Sequence, residues 1–512
     1  MKGTYTLLND VRRRVFEEVS RLAYEEADFS QFNELPYKML PGVVGSMRSD
    51  IFLERAVIGE RIRLAMGLPL RASNEHAPVA KGIEEAARPE KYYEPPLINV
   101  IKFACNGCPD NVIHVSDACQ GCLSHPCQEV CPKDAIRIYD HKSHIDQEKC
   151  IKCGKCVREC PYSAIVKQQR PCSKACGMDA IGSDEYGRAD IDPDKCVSCG
   201  MCLVNCPFGA IADKSQIYQL IRAIKADLPV VAIVAPSIAG QFGKKCTTSK
   251  LRPLFRELGF DDVWQVSIGA DLCTIQEAEE FLRAVPEHKP FLATSCCPAW
   301  AMMGKKLFPQ QAPYISMALT PMVFTGRMVK KMYRDQGKEC RICFIGPCAA
   351  KKLEASRRTI RSDVDFVLTF EELMGMINAK DIKFSDLPDE DWNSRASRDG
   401  EGFAQSGGVA QAVEDCAKRL KPGFEVKRVN AEGLRDCRKM LQMAKTGKYN
   451  GYLLEGMACP GGCIGGAGTV LTQVKARNSL SSTMKESPFE NVMDTEFKDM
   501  RILLEEGLED DE

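Results

Sequence analysis

Four cysteines in the second half of the chain have the type and position of ligands to one metal centre. Three loops contain them, each after an apolar run typical of a strand: residues 294–300 (TSCCPAW), 346–352 (GPCAAKK) and 457–463 (MACPGGC). Ligands of open α/β sheets bind beyond the carboxyl ends of the strands. We therefore predict that Cys297, Cys348, Cys459 and Cys463 converge on one centre, since thiolates are soft, anionic ligands.

Upstream, the cysteines follow the rhythm of bacterial iron–sulfur proteins, C-x2-C-x2-C-x3-C-P. Two motifs match it in full and a third has a longer middle spacing: Cys150, Cys153, Cys156, Cys160; Cys196, Cys199, Cys202, Cys206; and Cys119, Cys122, Cys127, Cys131. In two-cluster ferredoxins the fourth cysteine binds the other cluster. The third motif therefore pairs with the first, and the predicted ligand sets are Cys119, Cys122, Cys127 with Cys160, and Cys150, Cys153, Cys156 with Cys131.

The Cys196 motif needs a partner, and Cys172 and Cys176 supply half of one. The segment GMDAI after Cys176 resembles the segment PKDAI after Cys131. We assign the other half to Cys105 and Cys108, which precede the first module. This predicts four 4Fe–4S clusters, the last two held by Cys105, Cys108, Cys172 with Cys206, and by Cys196, Cys199, Cys202 with Cys176. Two alternatives stay open: structural zinc at the Cys-x2-Cys pairs, and a separate site at Cys105 and Cys108.

The composition is that of a large metalloprotein rather than a disulfide scaffold. The chain has 512 residues, 27 cysteines and a net charge of −1. This length has room for two to four domains, and the near-neutral charge does not favour a nucleic-acid partner. The first residues lack the apolar core of a signal peptide, and no apolar run is long enough to span a bilayer. We expect a cytoplasmic protein with no nucleic-acid or membrane partner.

Three regions are predicted. Residues 1–95 form a small helical region, because Leu8, Val11, Val15, Val19 and Leu22 recur at helical spacing. It ends in a charged, proline-containing linker at 86–96. Residues 96–213 form the iron–sulfur domain. Residues 214–512, which include an acidic tail at 505–512, alternate apolar runs with amphipathic stretches. The predicted fold is therefore α+β ferredoxin-like cluster modules followed by an α/β domain with two parallel-sheet lobes.

The three C-terminal motifs resemble the H-cluster signatures of the iron–iron (FeFe) hydrogenases, TSCCPxW, PCxxK and ExMACxxGCxxGG, and occur in that family's order. The resemblance covers about residues 214–512. It implies reversible conversion of 2 H⁺ and 2 e⁻ to H₂ at an H-cluster, a 4Fe–4S cluster on Cys297, Cys348, Cys459 and Cys463. Through Cys463 this cluster would join a diiron unit with CO, cyanide and azadithiolate. Lys351, Pro236 and Ser237 would contact the cyanides, and Met457 would pack near the diiron unit.

The resemblance also implies a proton relay to a dry site. Cys296 matches the proton-donating cysteine of the family, and Ser316 matches an intervening serine. Glu277 and Glu280 follow in register from Asp271. Burial would raise the pKa of these carboxyl groups and suit them to proton transfer near neutral pH. A solvated acidic helix face is the alternative for the glutamates, since Glu279 is charged too.

The second loop departs from the family pattern. Gly346 stands where the best-known members have methionine, and Ala299 replaces a common glycine, as in a less-studied branch of monomeric members. Other functions considered are a sensory hydrogenase, an iron–sulfur assembly protein of the Nar1 type, and a polyferredoxin, which the C-terminal loops exclude. The expected partners are H₂, protons, a soluble ferredoxin or flavodoxin, and the maturation enzymes that build the diiron unit.

The remaining motifs have simpler interpretations. Six cysteines without cluster spacing are expected to be buried thiols that pack as small apolar groups: Cys246, Cys273, Cys340, Cys343, Cys416 and Cys437. The glycine-rich run 461–468 does not give the dinucleotide pattern G-x-G-x-x-G. Residues 406–409 (SGGV) are expected to form a tight turn that lets the backbone approach the centre.

Overall fold

The computed structural model describes residues 6–500, except 49, 73, 89, 91, 92, 227, 358, 359, 361, 362 and 392–395. The predicted acidic tail lies outside this part. The N-terminal region is helical, as its apolar spacing predicts: α1 (Leu7–Tyr24), α2 (Gln31–Met39), α3 (Ile51–Ala65) and α4 (Ile83–Ala86). It packs on the C-terminal region, residues 214–500, where Arg12 pairs with Glu371 at 2.6 Å. Tyr93, within the predicted linker, is buried and donates to the Val367 carbonyl at 2.8 Å.

The cysteine-rich tract consists of short strands and helices of one turn. They are β1 (Ile98–Val100), β2 (Val112–Val115), α5 (Pro126–Glu129), β3 (Ile136–Tyr139), β4 (Lys142–Ile145), α6 (Lys155–Glu159), β5 (Ile165–Gln168), α7 (Pro171–Ala175), β6 (Ile181–Ser183), β7 (Ala189–Ile191), α8 (Met201–Asn205) and β8 (Ile211–Asp213). Four antiparallel pairs form: β2 with β5, β3 with β4, β1 with β8 and β6 with β7. Because β1 pairs with β8, the unit built on β2–β5 is inserted within the second unit. This insertion explains why one cysteine motif is split in the sequence.

The C-terminal region alternates strands and helices. Its elements are α9 (Ile217–Ile224), β9 (Val230–Val234), α10 (Leu251–Leu258), β10 (Asp262–Gln265), α11 (Val266–Ala284), β11 (Leu292–Ala293), α12 (Pro298–Leu307), α13 (Pro321–Asp335), β12 (Arg341–Gly346), α14 (Ala350–Ala355), β13 (Phe366–Thr369), α15 (Phe370–Ala379), α16 (Arg398–Gly402), α17 (Gly408–Leu420), β14 (Lys427–Glu432), α18 (Leu434–Lys445), β15 (Tyr452–Met457) and α19 (Gln473–Glu486). The strands form two parallel sheets, in the orders β10-β9-β12-β13 and β11-β15-β14. The two predicted parallel lobes are these sheets.

Both sheets have the sequence features of buried parallel strands. Every residue of β9 is buried, as expected where helices cover both faces of a sheet. A capping box starts α15, since Thr369 and Glu372 each accept from the other's backbone N–H group. In the second sheet Gly456 lets the Trp300 ring pack directly on the backbone of β15, because a Cβ atom at this position would lie 2.2 Å from the ring.

A buried lysine joins the cysteine-rich tract to the C-terminal region. Lys352 on α14 is fully buried and lies 2.7 Å from both Asp213, at the end of β8, and Glu372, on α15. It also donates to the Lys214 carbonyl at 2.8 Å. Burial by itself would lower the pKa of Lys352, but the two carboxylates raise it. The ammonium group is therefore charged, and it neutralises two acids from different domains.

Removing this lysine is expected to destabilise the junction strongly. Lys352→Met leaves Asp213 and Glu372 as buried charges without a counter-ion, a change that typically costs about 3–5 kcal/mol. The urea midpoint of the metal-free chain should fall accordingly. Lys418→Met is the control, because Lys418 pairs with Glu414 at a surface where its side chain is 47% exposed and such pairs contribute about 0–1 kcal/mol. Equal midpoints for the two variants would contradict a structural role for the triad.

Candidate active site

The four predicted ligands converge where two pairs of strands end. The loops after β9 and β12, neighbours in the first sheet, carry Pro236 and Cys348. Those after β11 and β15, neighbours in the second sheet, carry Cys297 and Cys459. All four loops line one cavity between the carboxyl ends of the two sheets. Every residue predicted at the H-cluster lines it: Pro236, Ser237, Cys296, Cys297, Cys348, Lys351, Met457, Cys459 and Cys463.

The size and lining of this cavity fit a large, cysteine-bound group. The space between its lining atoms, including any that is open to solvent, is about 830 Å³. The two cavities lined by four cysteines in the iron–sulfur tract measure about 330 and 340 Å³ on the same basis. Apolar side chains, among them Val266, Met322, Phe344 and Phe403, complete the wall. Within the described residues no three His, Cys, Asp or Glu side chains meet at the spacing needed for a single metal ion.

Backbone N–H groups are placed to stabilise thiolates at the centre. Burial raises the pKa of Cys297, whereas the N–H groups of Ala458, Trp300 and Ala299 act in the opposite direction. Burial likewise raises the pKa of Cys348 to about 11, opposed by Lys351. Cys297 is the N-cap of α12, so the helix dipole also stabilises its thiolate form. Buried thiols with anion-stabilising neighbours are suitable ligands for an iron–sulfur cluster.

Lys351 is the buried cation of the cavity. Its ammonium lies 2.6 Å from Glu354, one helical turn further along α14. The pair lacks hydrogen-bond geometry, and Lys351 Nζ has no hydrogen-bond partner. Glu354 is held in turn by the Thr320 hydroxyl at 2.9 Å. A charged donor with unused hydrogen-bonding capacity in an apolar cavity fits an anionic ligand such as cyanide.

Cys296 and Glu277 form the inner part of the predicted relay. Glu277 on α11 is fully buried and accepts from the Ser295 backbone N–H at 2.8 Å and from its hydroxyl at 3.1 Å. Burial raises the pKa of Glu277 to about 8, although these two bonds oppose the shift. Burial, followed by the Glu277 charge, raises the pKa of Cys296 well above its ordinary value. Both groups therefore carry protons at neutral pH.

Glu280 and Ser316 form the outer part. The Ser316 hydroxyl donates to Glu280 Oε2 at 2.7 Å, and Lys289 pairs with Glu280 Oε1 at 2.6 Å. The Glu280 side chain is only 13% exposed. Of the four predicted relay residues, Cys296 thus lines the cavity, Glu277 is buried next to it through Ser295, and Glu280 with Ser316 lies nearer the surface. This arrangement does not match a solvated acidic face, which describes only the exposed Glu279.

The cysteines of the tract come together in the predicted sets. One cavity is lined by Cys119, Cys122, Cys127 and Cys160, and another by Cys105, Cys108, Cys172 and Cys206. After burial, the charges of Cys150, Cys153 and Cys131 raise the pKa of Cys156. In the fourth set, burial and then the charges of Cys199, Cys196 and Cys176 raise the pKa of Cys202. Cys105 and Cys108 therefore share their site with two distant cysteines.

The backbone repeats itself at all four motifs. The residue before the second cysteine has positive φ in each case: Gly107, Gly121, Lys152 and Ser198. So does the third residue after the fourth cysteine: Asp134, Ser163, Asp179 and Gly209. Positive φ is uncommon in non-glycine residues and indicates a local constraint. The repetition makes the split motif structurally equivalent to the continuous ones.

One of these sets lies against the central cavity. Cys199 lines that cavity, and its pKa is raised to about 12 by burial and by the charges of Cys176, Cys196 and Cys348. The next residue, Gly200, has a φ of +76°, and a Cβ atom there would lie 2.6 Å from the Ala467 side chain. The glycine therefore allows the cysteine motif to approach the loops of the central cavity closely.

The unusual glycine in the second loop has a packing explanation. A Cβ atom at Gly346 would lie 2.5 Å from the Phe344 ring. Phe344 lines the cavity, so its ring takes the space that a side chain at position 346 would need. Ala299, the other departure, is buried in the same wall.

Several contributing residues were not predicted. Ser295 orients Glu277, Lys289 neutralises Glu280, and Glu354 holds Lys351. Ser295 lies within the TSCCPAW motif, and Glu354 follows Lys351 at helical spacing, so both positions could be inferred from sequence. Of the six other cysteines, Cys273, Cys340, Cys343, Cys416 and Cys437 are buried as expected. Cys246 is only partly buried, but it too packs against the hydrophobic core.

Known families match the same parts of the chain. Residues 143–166 and 188–211 each match a family described as "4Fe-4S binding domain". Residues 228–467 match the family described as "Iron only hydrogenase large subunit, C-terminal domain". This region is therefore similar to the C-terminal domain of the iron-only hydrogenase large subunit. The matched region contains all the cysteines of the central cavity except Cys199, which lies in the second matched 4Fe–4S segment.

Individual proteins are also similar to the chain. The chain is similar to Iron hydrogenase 1 of Clostridium pasteurianum, with 29% identity over 386 residues, or 66% of this chain and 67% of that protein. It is also similar to the cytosolic Fe-S cluster assembly factor NAR1 of Yarrowia lipolytica, with 26% identity over 313 residues, or 46% and 63%. A solved [FeFe]-hydrogenase structure, HydA(deltaEFG), has 24% identity and a TM-score of 0.47, covering 54% of this chain and 90% of that one. No helix in the described part of the chain is long and apolar enough to cross a membrane.

Proposed function

We propose that the protein is an FeFe hydrogenase that interconverts H₂ with two protons and two electrons. The observation that carries this proposal is one cavity lined both by four cysteine ligands and by a proton-carrying thiol, Cys296, beside Glu277. Cluster ligands alone would suit any iron–sulfur protein. A buried acid leading to a buried thiol has a use only where protons must reach the centre.

Cys297, Cys348, Cys459 and Cys463 would hold the 4Fe–4S part of an H-cluster. When bound, the diiron unit supplies the iron at which protons and electrons combine to H₂. Around it, Lys351, Pro236 and Ser237 would fix the cyanides, and the apolar wall would exclude water. Met457 would pack against the same unit.

Electrons would enter through the four accessory 4Fe–4S clusters. The set containing Cys199 lies beside Cys348 and would pass electrons to the centre. Of the 16 cysteines in the tract, only Cys153 is exposed. Its cluster would therefore be the point of contact with the electron partner, which we propose to be a soluble ferredoxin or flavodoxin in the cytoplasm.

Protons would enter near Glu280 and Ser316 and reach the cavity at Cys296. Glu280 is partly exposed and would exchange protons with solvent, while Ser316 and Glu277 would carry them inward to Cys296. The pKa of Glu277, about 8, lets this group both give and take a proton near neutral pH. Ser295 acts as a positioning residue, because its two hydrogen bonds fix the Glu277 carboxyl.

Infrared spectroscopy of protein matured with the diiron assembly enzymes tests the proposal. CO and cyanide stretching bands that change when H₂ is added are expected. Cys463→Ser should lose these bands, because the thiolate joining the two parts of the cofactor is removed. Wild-type protein with complete cubanes and no CO or cyanide bands would refute the hydrogenase assignment.

A cluster-content measurement tests the ligand sets. Protein reconstituted without maturation is expected to hold five cubanes, or about 20 iron atoms per chain. Cys172→Ser should lower the content by about four, because Cys172 lines a cavity with three other cysteines. Cys416→Ser, at a buried thiol outside every set, should change nothing. An unchanged iron content in Cys172→Ser protein would remove the split-motif cluster.

An iron–sulfur assembly function is the second candidate, since the chain is also similar to NAR1. Such a protein would use the cubanes and would not need the diiron unit. The two functions differ at Cys296 and Glu277, which an assembly function gives no reason to retain. H₂ turnover by the matured protein would decide for the hydrogenase, and its absence from protein with complete cubanes would favour assembly.

A further inference from the structure

A second pocket lies directly behind the catalytic cavity. It is open to solvent, measures about 970 Å³, and its outer wall includes Ser479, Ser482 and Glu486 of α19. Ala235 and Pro236 line both this pocket and the cavity. Two other segments present adjacent or nearby residues to the two spaces: Gln265 and Val266, and Glu401 and Phe403. Only a thin wall therefore separates the pocket from the predicted H-cluster.

The inner end of the pocket holds a buried acid with an unused oxygen. Glu401 on α16 is 1% exposed and lines the pocket, and its Oε1 has no hydrogen-bond partner. Gln265 Oε1, in the same lining, is also buried without a partner. The Ser267 hydroxyl is one donor near Glu401, and the solvent-open space beside both acceptors can supply water as another. The pocket has room for several waters, since each takes about 30 Å³.

The surroundings of Glu401 favour its protonated form near neutral pH. Burial raises the pKa of Glu401 to about 7, and the Ser267 hydroxyl opposes this shift. The charge of Glu401 in turn contributes to the raised pKa of Asp271, about 7, on α11. Asp271 is held by the Ser397 backbone N–H at 2.8 Å and hydroxyl at 2.5 Å. The other charged groups in or near this end of the pocket are Asp399, Lys244 and Glu486.

The thin wall also contains a polar group that faces the cavity. Ser237 follows Pro236, is 1% exposed and lines the cavity, and its hydroxyl has no hydrogen-bond partner. Glu401 lies beside Ser267, near the start of α11, whereas Glu277 lies ten residues further along that helix, about 15 Å away at 1.5 Å per residue. Glu401 and Glu277 thus approach the cavity from different ends.

We propose that this pocket is a second proton entry to the catalytic cavity, with Glu401 as the relay group and Ser237 as the crossing point. The proposal rests on the hydrogenase function proposed above. The step is proton transfer alone: the O–H bond of Glu401 breaks as an O–H bond forms on an intervening water. That water protonates Ser237 while the Ser237 hydroxyl gives its original proton to a basic atom of the group bound in the cavity, so Ser237 ends as a neutral hydroxyl. Pocket water then reprotonates Glu401, and no electron leaves the carboxyl.

The first test does not need the diiron unit. In the full chain holding only cubanes, infrared pH titration should show a protonated-carboxyl band that disappears near neutral pH. That band should be missing from Glu401→Gln protein and present in Glu279→Gln protein, at an exposed glutamate of α11. Identical titrations of wild type and Glu401→Gln would overturn the proposal, whatever the outcome for H₂ turnover.

The second test measures proton supply in matured protein. Glu401→Gln alone should reduce H₂ turnover less than about twofold, because the Glu277 route remains. In Glu277→Gln protein, adding Glu401→Gln should lower the residual turnover at least about tenfold. Ser482→Trp, which fills the mouth of the pocket, should reproduce this effect without changing the acid. The proposal fails if Glu277→Gln protein has no residual turnover, or if neither second substitution lowers it. Retained CO and cyanide bands would show that such a failure belongs to the pocket and not to the hydrogenase assignment.

Discussion

Cys296→Ala protein is expected to carry the complete cofactor and to lose at least about 100-fold in H₂ turnover. General acid–base groups typically contribute about 10²–10⁴-fold to a rate. Cys296 lines the cavity and is not one of the four ligands, so its removal takes away a proton carrier and no metal bond. CO and cyanide bands should therefore persist at wild-type intensity while turnover falls in both directions.

The matched control is Cys273→Ala. Cys273 is a fully buried thiol on α11, one turn before Glu277, and does not line the cavity. Its removal creates a comparable small void but leaves the proton route intact, so turnover should stay within about twofold of wild type. Full activity in Cys296→Ala protein would show that protons enter by another route. Loss of the cofactor bands would give Cys296 a structural role instead.

The convergence of the four ligands could be predicted because the ends of strands can be recognised in the sequence. Each cysteine loop follows an apolar run, and parallel strands place their carboxyl ends at one edge. The runs before the Cys297 and Cys459 loops became β11 and β15, which are neighbours in the second sheet. What sequence could not supply was which strands are adjacent. This depends on long-range pairing, so the two-sheet arrangement around the cavity had to come from the structure.

The pairing of the cysteine motifs could also be predicted from sequence, but the ion pairs between secondary-structure elements could not. Cys105 and Cys206 are about a hundred positions apart, yet the spacing rule of ferredoxins already links a fourth cysteine to another motif. The pairing of β1 with β8 provides the physical cause. By contrast, no local pattern connects Lys289 to Glu280, or Lys352 to Asp213 and Glu372. These ion pairs form between elements packed by the tertiary fold, and propensity or spacing carries no information about them.

Phe344 and Gly346 show a further limit of prediction from the sequence. The sequence shows that Gly346 departs from the family pattern, but it does not show why. The reason is the side chain two residues earlier, Phe344. Both lie on β12, and side chains at positions i and i+2 of a strand share a face. The aromatic ring at position 344 therefore fits only because position 346 is a glycine without a side chain. Only the observed contact, which a Cβ atom at 346 would violate, explains the substitution.

Glu277→Gln protein should lose H₂ turnover in both directions, by at least about 100-fold once the second entry is blocked. Glutamine keeps the size of the side chain and still accepts from Ser295, but it cannot cycle a proton. Glu279→Gln, on the exposed face of α11, should change turnover less than twofold. Equal losses in both variants would indicate a general electrostatic effect, and unchanged turnover in Glu277→Gln protein whose second entry is blocked would refute the relay.

The raised pKa of Glu277 also has a consequence for stability. The native chain binds this proton up to about pH 8, whereas the unfolded chain releases it near the ordinary value of 4.5. Between these values the native state holds more protons, so the contribution of Glu277 to stability falls as pH rises. Glutamine does not titrate and removes this loss, which amounts to about 1.4 kcal/mol per pKa unit. The thermal midpoint of Glu277→Gln protein, measured without maturation, should therefore rise relative to wild type between pH 5 and pH 9. A difference that stays constant across this range would mean that Glu277 is already ionised at pH 5, and it would then have no proton to give to Cys296 at neutral pH.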